Sequence, residues 1–331
     1  MVRFKVLFKN TCSYRVYVYF KSMKNTIKSF CDDHFRDETD SKRKWIEKDM
    51  KHWYIMRNIF PAQYWEQSFD LITKSAKKSM LPKCELTRFD EKYNLKTDIH
   101  IIGNKYECYE RFKEYYGREC MLVKNPSEMG GAFEAFCARH KKVIIKPLFN
   151  DSGVGVEIFT YGESKVPSYP FIAEEIIKQS DALAKFHPQS VNTLRLNTIR
   201  CKDEVLVWQC ILRYGRGNNH VDNAHFGGCF SAIDNNGYAI AAGDIKRHVF
   251  NVHPDSGVAL TGFKVPDWEQ ACEMVKLLAT KVGGLRYVGW DLAHTDNGWV
   301  VIEANTSPGI LTPAVTGKGV AKEFYEIKSR M

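Results

Sequence analysis

The segment Gly289–Gly309 limits what this 331-residue chain can fold into more than any other part of it. It contains two runs of strand-forming residues, and the sequence Asp296-Asn297-Gly298 between them is typical of a tight turn. We therefore predict a β-hairpin. Side chains alternate along a strand, so Glu303 and Asn305 share one face, and pairing brings Asp291 to the same face.

Three oxygen-bearing side chains that converge in this way suit a hard divalent cation. Carboxylate and amide oxygens are ligands of Mg²⁺ or Mn²⁺, and phosphate oxygens and water complete the coordination. The alternative is that Glu303 and Asn305 are ordinary polar residues on an exposed strand face. Both lie in an otherwise apolar run, where an unpaired carboxylate is costly to bury, so we favour the metal site.

A second motif combines a lysine with a glycine-containing loop. The β-branched run Val143–Ile145 predicts a buried strand, Lys146 follows it directly, and Gly153 and Gly155 come shortly afterwards. Glycines let the backbone approach phosphate oxygens, and a lysine adds a compact positive charge. The order fits neither a Walker A loop nor a dinucleotide fingerprint. A plain glycine hairpin after an exposed lysine remains the alternative.

Strand and helix signals are mixed over the rest of the chain from residue 143, which predicts an α+β or α/β catalytic region. Helices are predicted at Lys105–Tyr116 and Trp268–Val282, and strands at Val156–Phe159, Phe171–Ile177, Thr193–Arg200, Glu204–Leu212, Tyr287–Leu292 and Trp299–Ile302.

Positive charge is concentrated in the first third of the chain. The formal net charge is +9, and residues 1–100 carry eight of these charges, with 21 Lys and Arg against 13 Asp and Glu. This third is also rich in aromatic residues and helix formers. Its basic residues form either a solvated helix face or a docking surface for an anionic partner, such as a membrane surface, a nucleic acid or an acidic polymer.

The cysteine spacing and the apolar patterning favour a cytoplasmic protein. Ten cysteines are scattered without a CxxC pair, which fits neither a zinc site nor a disulfide framework. No window approaches the roughly 18 uncharged apolar residues of a membrane span. Lys5, Lys9 and Arg15 interrupt the apolar start of the chain, so we expect no signal peptide.

In order, these motifs resemble the ATP-grasp superfamily. The resemblance extends over roughly residues 100–315, and its most specific part is the closing pattern Asp291…Glu303-x-Asn305-x-x-Pro308-Gly309. Four other stretches resemble one branch, the sugar-transfer-associated ATP-grasp group, which is linked to capsule or cell-surface polysaccharide biosynthesis. They are His187–Arg195, Phe226–Asp234, His253–Gly257 and Val288–Asp291.

The resemblance implies an α+β fold with two subdomains that close on ATP. We assign residues 98–331 to this ATP-grasp catalytic region, with 98–177 as the first subdomain and hinge and 178–331 as the second subdomain with the metal site. Residues 1–97 form a basic, mainly helical N-terminal region. This region differs from the Rossmann-like substrate domain of well-known ligases of the superfamily.

The resemblance also implies roles for individual residues. Nucleotide contacts fall on Lys105, Lys146 and Lys246, on Asp151, Ser152, Gly153 and Gly155 of the loop over the phosphates, on Glu174, Glu175 and Ile177 of the adenine hinge, and on Asp181 at the ribose. The metal ligands are Asp291, Glu303 and Asn305, and the candidate catalytic residues are Arg195, Arg213 and His225.

The function implied is that of an ATP- and Mg²⁺-dependent carboxylate–amine ligase that works through an acyl phosphate. Some relatives carry an arginine just before the first metal-binding Asp, where this chain has Trp290. Arg195 therefore becomes the candidate for stabilising an oxyanion or holding a substrate carboxylate. Two alternatives stay open: an ATP-grasp kinase, and a protein that binds an anionic polymer without catalysis.

Overall fold

The computed structural model describes residues 11–149, 155–162 and 167–331. The chain divides into two compact units. The first takes in the described part of 1–89 together with Gly317–Ser329, and the second consists of Asp90–Thr316 with the last two residues. The sequence-based boundary at residue 97 assigned the C-terminal helix to the catalytic region. In the structure that helix belongs to the first unit, because its Phe324 ring packs against Phe89 with 5.3 Å between centroids.

The first unit consists of helices. Thr39 begins the longest of them, because its Oγ1 accepts a hydrogen bond from the backbone N–H of Lys42 at 3.3 Å. The helix ends at Asn58, which adopts the left-handed conformation at φ 59°. The helices are Cys12–Val18, a π-helical turn Tyr19–Met23, Lys24–His34, Asp40–Arg57, Pro61–Glu66, Lys74–Ser79, Lys83–Tyr93, whose last four residues are assigned to the second unit, and Ala321–Ser329.

Aromatic and aliphatic side chains form the core of the first unit. Trp53, Tyr64 and Phe69 are buried there with Ile46 and Met50. The aromatic residues of this region therefore serve mostly as core packing, and each buried large side chain contributes roughly 1.5–3 kcal/mol relative to an exposed one. The unit matches the expected basic, mainly helical region.

The second unit contains a smaller, four-stranded antiparallel sheet among its described residues. Its strands are β1 (Cys120–Val123), β2 (Lys142–Pro147), β3 (Glu157–Thr160) and β4 (Phe171–Glu175), in the order β1-β4-β2-β3. The helix Ala132–His140 covers one face, where Phe133 and Phe136 pack against Val143 and Phe171 of the sheet.

A larger sheet of seven described strands carries most of the polar residues considered below. Its strands are β5 (Thr193–Arg200), β6 (Val205–Val207), β7 (Cys210–Tyr214), β8 (Cys229–Ile233), β9 (Ala239–Gly243), β10 (Tyr287–Thr295) and β11 (Gly298–Thr306). They follow the order β11-β10-β5-β7-β8-β9, with β6 paired to β5. The other helices of this unit are Lys96–Gly103, Lys105–Phe112, Asp181–Ala184, Trp268–Thr280 and Thr312–Thr316.

The α+β class predicted from the sequence is confirmed. The strand Thr193–Arg200 has the predicted bounds, whereas the single strand expected at Glu204–Leu212 is divided into β6 and β7. The division occurs beside Gln209, whose φ of 59° cannot continue a strand. No helix in the described part of the chain is long and apolar enough to cross a membrane.

Candidate active site

The β10–β11 hairpin brings the three predicted metal ligands together. Asp291 and Glu303 are paired directly across the two strands. Asn305 lies on the same face, with its Nδ2 3.2 Å from Glu303 Oε1 and 3.4 Å from Asp291 Oδ2. The turn at Asp296–Gly298 forms as expected, and Gly298 takes the left-handed conformation that such a turn requires at φ 95°.

Two arginines surround the buried carboxylate of Asp291. Arg195 lies opposite it on β5 and donates from Nε and Nη2, the latter at 2.6 Å. Arg213 on β7 places its Nη2 2.7 Å from the same carboxylate. Burial acts to raise the pKa of Asp291, but the two guanidinium charges outweigh it and hold this pKa well below its usual range.

Glu303 has the opposite electrostatic character. Burial and the neighbouring charge of Asp291 raise the pKa of its carboxyl group above the usual value, in that order of importance. Repulsion between two adjacent carboxylates moves their pKa values apart. A divalent cation bound between them would favour the state in which both are ionised. Since Asp291 already has two guanidinium partners, a cation bound here would act mainly on the charge of Glu303.

Asp222 completes the polar network on the other side of Arg213. Thr193 donates to the Asp222 Oδ2 from its backbone N–H at 2.9 Å and from its hydroxyl group. The Arg213 Nε donates to Thr193 Oγ1 at 2.9 Å. Sequence reasoning did not assign Asp222 a role, because its partners Thr193 on β5 and Arg213 on β7 are distant in sequence.

Lys146 and Glu174 meet on neighbouring strands of the smaller sheet, with the lysine Nζ 2.8 Å from Glu174 Oε2. A third residue, Arg118, donates to the same oxygen from Nε at 2.8 Å. Burial acts to raise the pKa of Glu174, but Arg118 and Lys146 outweigh it and lower this pKa to about 2. Sequence reasoning missed Arg118, since no motif surrounds it.

The remaining phosphate-contact residues are described in part. Lys105 is the first residue of its helix, after the cap Asn104, and its backbone N–H donates to the carbonyl of Leu148 at 3.2 Å. Gly155 has φ 76°, and a Cβ there would lie 2.8 Å from the Pro147 ring. The predicted loop residues Asp151, Ser152 and Gly153 lie outside the described residues.

The hinge residues continue from the end of β4. Glu175 is half-buried, and its Oε2 accepts a hydrogen bond from the backbone N–H of Glu119 at 3.3 Å. Ile177 is also half-buried. Asp181 is exposed at the start of the short helix Asp181–Ala184, immediately after the cap Ser180. The side chains of Glu174 and Asp181 thus differ sharply in their access to solvent.

For the predicted site residues His225 and Lys246, the part of the chain that the structure describes gives only local backbone contacts, to Asn223 and Asp244. Both side chains are exposed, and the described residues show no hydrogen bond or ion pair between either of them and Asp291 or Glu303. The structure therefore bonds Arg195 and Arg213 to the predicted metal ligand Asp291, while the roles of His225 and Lys246 stay predictions.

The side chains of Asp291, Glu303 and Asn305 can be compared with the ligands that a divalent cation prefers. Within the described ranges, no group of three or more His, Cys, Asp and Glu side chains is placed to hold a metal ion. The hairpin supplies two carboxylates and one carboxamide, and the amide orientation of Asn305 is interchangeable at the level of heavy atoms. Oxygen ligands of this kind fit Mg²⁺ or Mn²⁺, so the residues present are compatible with the ion.

The family is decided by a comparison with protein-family models. The model for sugar-transfer associated ATP-grasp proteins matches residues 160–329, just over half of the chain. The chain belongs to this family. The matched range contains the hinge strand, both arginines and the whole hairpin, so the resemblance stated from the sequence is confirmed for this sugar-transfer associated ATP-grasp protein.

Solved structures similar to this ATP-grasp chain include three ligases or synthetases. The ATP-grasp ligase PsnB, complexed with a phosphomimetic variant of a minimal precursor, Mg and ADP, is 14% identical, with 75% of this chain and 61% of that chain covered and a TM-score of 0.40. D-alanine–D-alanine ligase from Bacillus anthracis is 13% identical, with 70% and 67% covered and a TM-score of 0.41.

N5-carboxyaminoimidazole ribonucleotide synthetase from Thermotoga maritima is 14% identical, with 62% of this chain and 42% of that chain covered and a TM-score of 0.37. The chain therefore spans less than two thirds of the length of PsnB and of this synthetase. A search of curated proteins finds no match.

Proposed function

We propose that this chain is an ATP- and Mg²⁺-dependent carboxylate–amine ligase that attaches an amino acid or amine to a cell-surface polysaccharide precursor, in the cytoplasm. The observation that carries the proposal is the cluster of Asp291, Glu303 and Asn305 with two guanidinium groups at its edge. It combines ligands for a hard cation with groups that bind an anion, and it lies within the range that the family model matches.

Asp291, Glu303 and Asn305 are the residues that would hold Mg²⁺ or Mn²⁺. A cation bound there would neutralise phosphate charge during transfer. Lys146 and Lys105 would contact the phosphates, and the strand that ends at Glu175 would hold the adenine.

In the proposed reaction a carboxylate oxygen of one substrate attacks the γ-phosphorus of ATP, the bond to the bridging oxygen breaks, and ADP leaves. The amine of the second substrate attacks the carbonyl carbon of the acyl phosphate. Inorganic phosphate then leaves, and the nitrogen loses a proton to solvent. Arg195 and Arg213 would stabilise the negative charge that develops on the carbonyl oxygen, because guanidinium groups near that oxygen favour the transition state.

A phosphate-release assay tests this function. Purified protein with Mg-ATP is screened against amino acids and nucleotide-linked uronic acids, and ADP, free phosphate and amine consumption are measured together. We expect all three in equal amounts for the correct substrate pair. Glu303→Ala is expected to abolish the reaction, and full ATP turnover in this variant would refute the proposal.

A kinase is the second candidate, since the same cluster also suits direct phosphoryl transfer to a substrate. The two reactions differ in their products, because a kinase forms ADP without releasing phosphate. ADP formation in the absence of free phosphate, together with a phosphorylated acceptor, would favour the kinase.

The basic first unit is proposed as the surface that docks the acceptor, either an anionic glycan intermediate or a membrane face. Tyr17 and Phe20 are 59% and 65% exposed. Lys21 lies over the Tyr17 ring at 5.9 Å, and Lys51 lies over the Phe20 ring at 5.4 Å. Exposed aromatic rings with lysines beside them suit sugar rings and anionic groups.

Charge neutralisation tests the docking surface. Lys44 and Lys48 are exposed on the helix Asp40–Arg57, whereas Lys42 and Arg43 pair with Glu38 and Asp40. Neutralising all four is expected to raise KM for the acceptor and to leave ATP affinity unchanged. Lys202→Gln, another exposed lysine, is the control. Unchanged acceptor kinetics would make the four residues a solvated helix face.

Binding of an anionic polymer without catalysis is the remaining alternative. It predicts affinity for RNA or DNA that falls steeply with salt and ignores Mg-ATP. The alternative does not account for the pairing of Glu303 with the buried Asp291, so we do not propose nucleic acid as a partner.

A further inference from the structure

Arg118 occupies a buried position between two parts of the second unit. Its side chain is 2% exposed and follows Gly117, which has φ 58°. A Cβ on Gly117 would lie 2.5 Å from Val300 Cγ1, so the backbone approaches β11 closely here. The position thus places a guanidinium group where water does not reach it.

The donors of Arg118 are directed at acceptors on two different strands. Nε and Nη2 lie 2.8 Å and 2.7 Å from Glu174 Oε2 on β4. Nη1 donates to the Val301 carbonyl on β11 at 2.6 Å, and Nη2 to that of Ile302 at 3.4 Å. These carbonyls immediately precede Glu303. One side chain therefore links the hinge strand to the strand that carries the proposed metal ligands.

The charges around Glu174 do not balance. One carboxylate faces two cations, so the cluster of Arg118, Glu174 and Lys146 carries one excess positive charge. The lysine side chain is 12% exposed, against 2% for the arginine. Arg118 can neutralise Glu174 by itself from its buried position. The excess positive charge is therefore available at Lys146, which is the more exposed of the two cations.

We propose that Arg118 is a positioning residue for nucleotide binding, which neutralises Glu174 and so leaves the charge of Lys146 free for a phosphate group. The proposal rests on the proposed function. Without Arg118, Lys146 would be the sole counter-ion of Glu174, and that pair has no net charge to offer a phosphate.

The test is the affinity for Mg-ADP, measured by calorimetry on the full-length chain. Arg118→Met is expected to weaken binding by about tenfold, since one charged contact to phosphate is lost. Combining it with Glu174→Gln is expected to restore the affinity to within about threefold of wild type, because Lys146 no longer has a carboxylate to neutralise. The Glu174 carboxylate is 4% exposed and bonded to Arg118 and Lys146, so in this proposal it is a counter-ion and not a nucleotide contact. Arg139→Met, in an exposed pair with Glu119, is the control.

The rescue also separates this role from a structural one. The double variant lacks every contact of Arg118, so a purely structural arginine would leave it as weak as Arg118→Met, and that result would overturn the proposal. Arg118→Lys serves if Arg118→Met does not fold, with a smaller loss and the same rescue expected. ADP affinity unchanged in Arg118→Lys and Arg118→Met would also overturn it. A wild-type chain that binds no Mg-ADP refutes the proposed function and this inference together.

Discussion

At the scale of single residues, the site is organised by ionic groups that share partners. Asp291 accepts from two arginines, and one of these also approaches Asp222, with its Nε 3.6 Å from Oδ2. Removing one member of such a buried network leaves an uncompensated charge, which typically costs 3–5 kcal/mol. Substitutions in this network are therefore best interpreted with their effects on stability measured alongside activity.

Arg195→Met is expected to lower kcat by about 100-fold while changing KM for ATP by less than about threefold, because the side chain acts on charge that develops in the transition state. Steady-state kinetics with the substrate pair found in the phosphate-release screen would measure both constants. Arg139→Met is the control. An equal loss of ATP affinity would instead place Arg195 in nucleotide binding.

Glu174 provides a pH-dependent contribution to stability. Its folded pKa of about 2 lies below the ordinary value of 4.5, so its stabilising effect is present above pH 4.5 and is lost as the pH falls toward 2. We expect the free energy of unfolding to drop by about 2 kcal/mol from this group between pH 6 and pH 3. Denaturant unfolding of wild type and Glu174→Gln measures it, and equal pH slopes would contradict it.

At the scale of elements, the β10–β11 hairpin carries the metal ligands and depends on its turn. Gly298 is the position where the turn requires a left-handed backbone, at φ 95°. A β-bulge between Asp291 and Leu292 then changes the register, so that Asp291 faces Glu303. Turn and bulge together set which side chains meet.

Gly298→Ala is expected to destabilise the second unit by about 1–2 kcal/mol, because alanine is strained at a positive φ. Gly283→Ala is the matched control, since nothing lies within 4 Å of its added Cβ and its φ is not in the left-handed range. Thermal unfolding of both variants measures the difference. Equal melting temperatures would show that the turn tolerates a side chain.

Elements rich in β-branched residues were predicted well from the sequence, and those built from small residues were not. The β5 strand contains Thr, Leu and Ile, and its predicted first and last residues are those observed in the structure. The strands Cys229–Ile233 and Ala239–Gly243 were missed, because Ala, Ser, Cys and Gly have weak strand preference. They form strands because they pair with β7 and with each other.

For the candidate site, the relevant distinction is between local and long-range information. Alternation of side chains along a strand, which is local information, places Glu303 and Asn305 on one face, but the β-bulge that brings Asp291 opposite Glu303 was not predicted. Arg118 could not be found in this way, since its partners Glu174 and Val301 lie on distant strands. Only the assembled sheets show that a buried guanidinium group connects them.

At the scale of the whole molecule, the first unit is discontinuous in sequence. It is completed by Gly317–Ser329, where Phe324 and Ile327 are buried. Hydrogen bonds join this segment to the rest of the unit, and one of them runs from the backbone N–H of Gly319 to Ser79 Oγ at 3.2 Å. The C-terminal helix is thus a component of the N-terminal unit.

Phe324→Ala is expected to destabilise the first unit by about 3–5 kcal/mol, the usual cost of removing a buried phenylalanine. The neighbouring Tyr325 is 44% exposed, so Tyr325→Ala is the control with a small effect. Denaturant unfolding followed by tryptophan fluorescence would detect a transition that moves only in the first variant. Similar shifts in both variants would mean that the helix packs differently.

The discontinuity also has a consequence for biosynthesis. The ribosome releases the N-terminal helices first, but their last packing partner emerges only after every strand of the larger sheet has been translated. Until then the apolar surface around Phe89 lacks its Phe324 partner, while all the described strands of the second unit have been translated. A stop codon that removes the helix Ala321–Ser329 would therefore damage the first unit, although the codon lies after every described strand of the second.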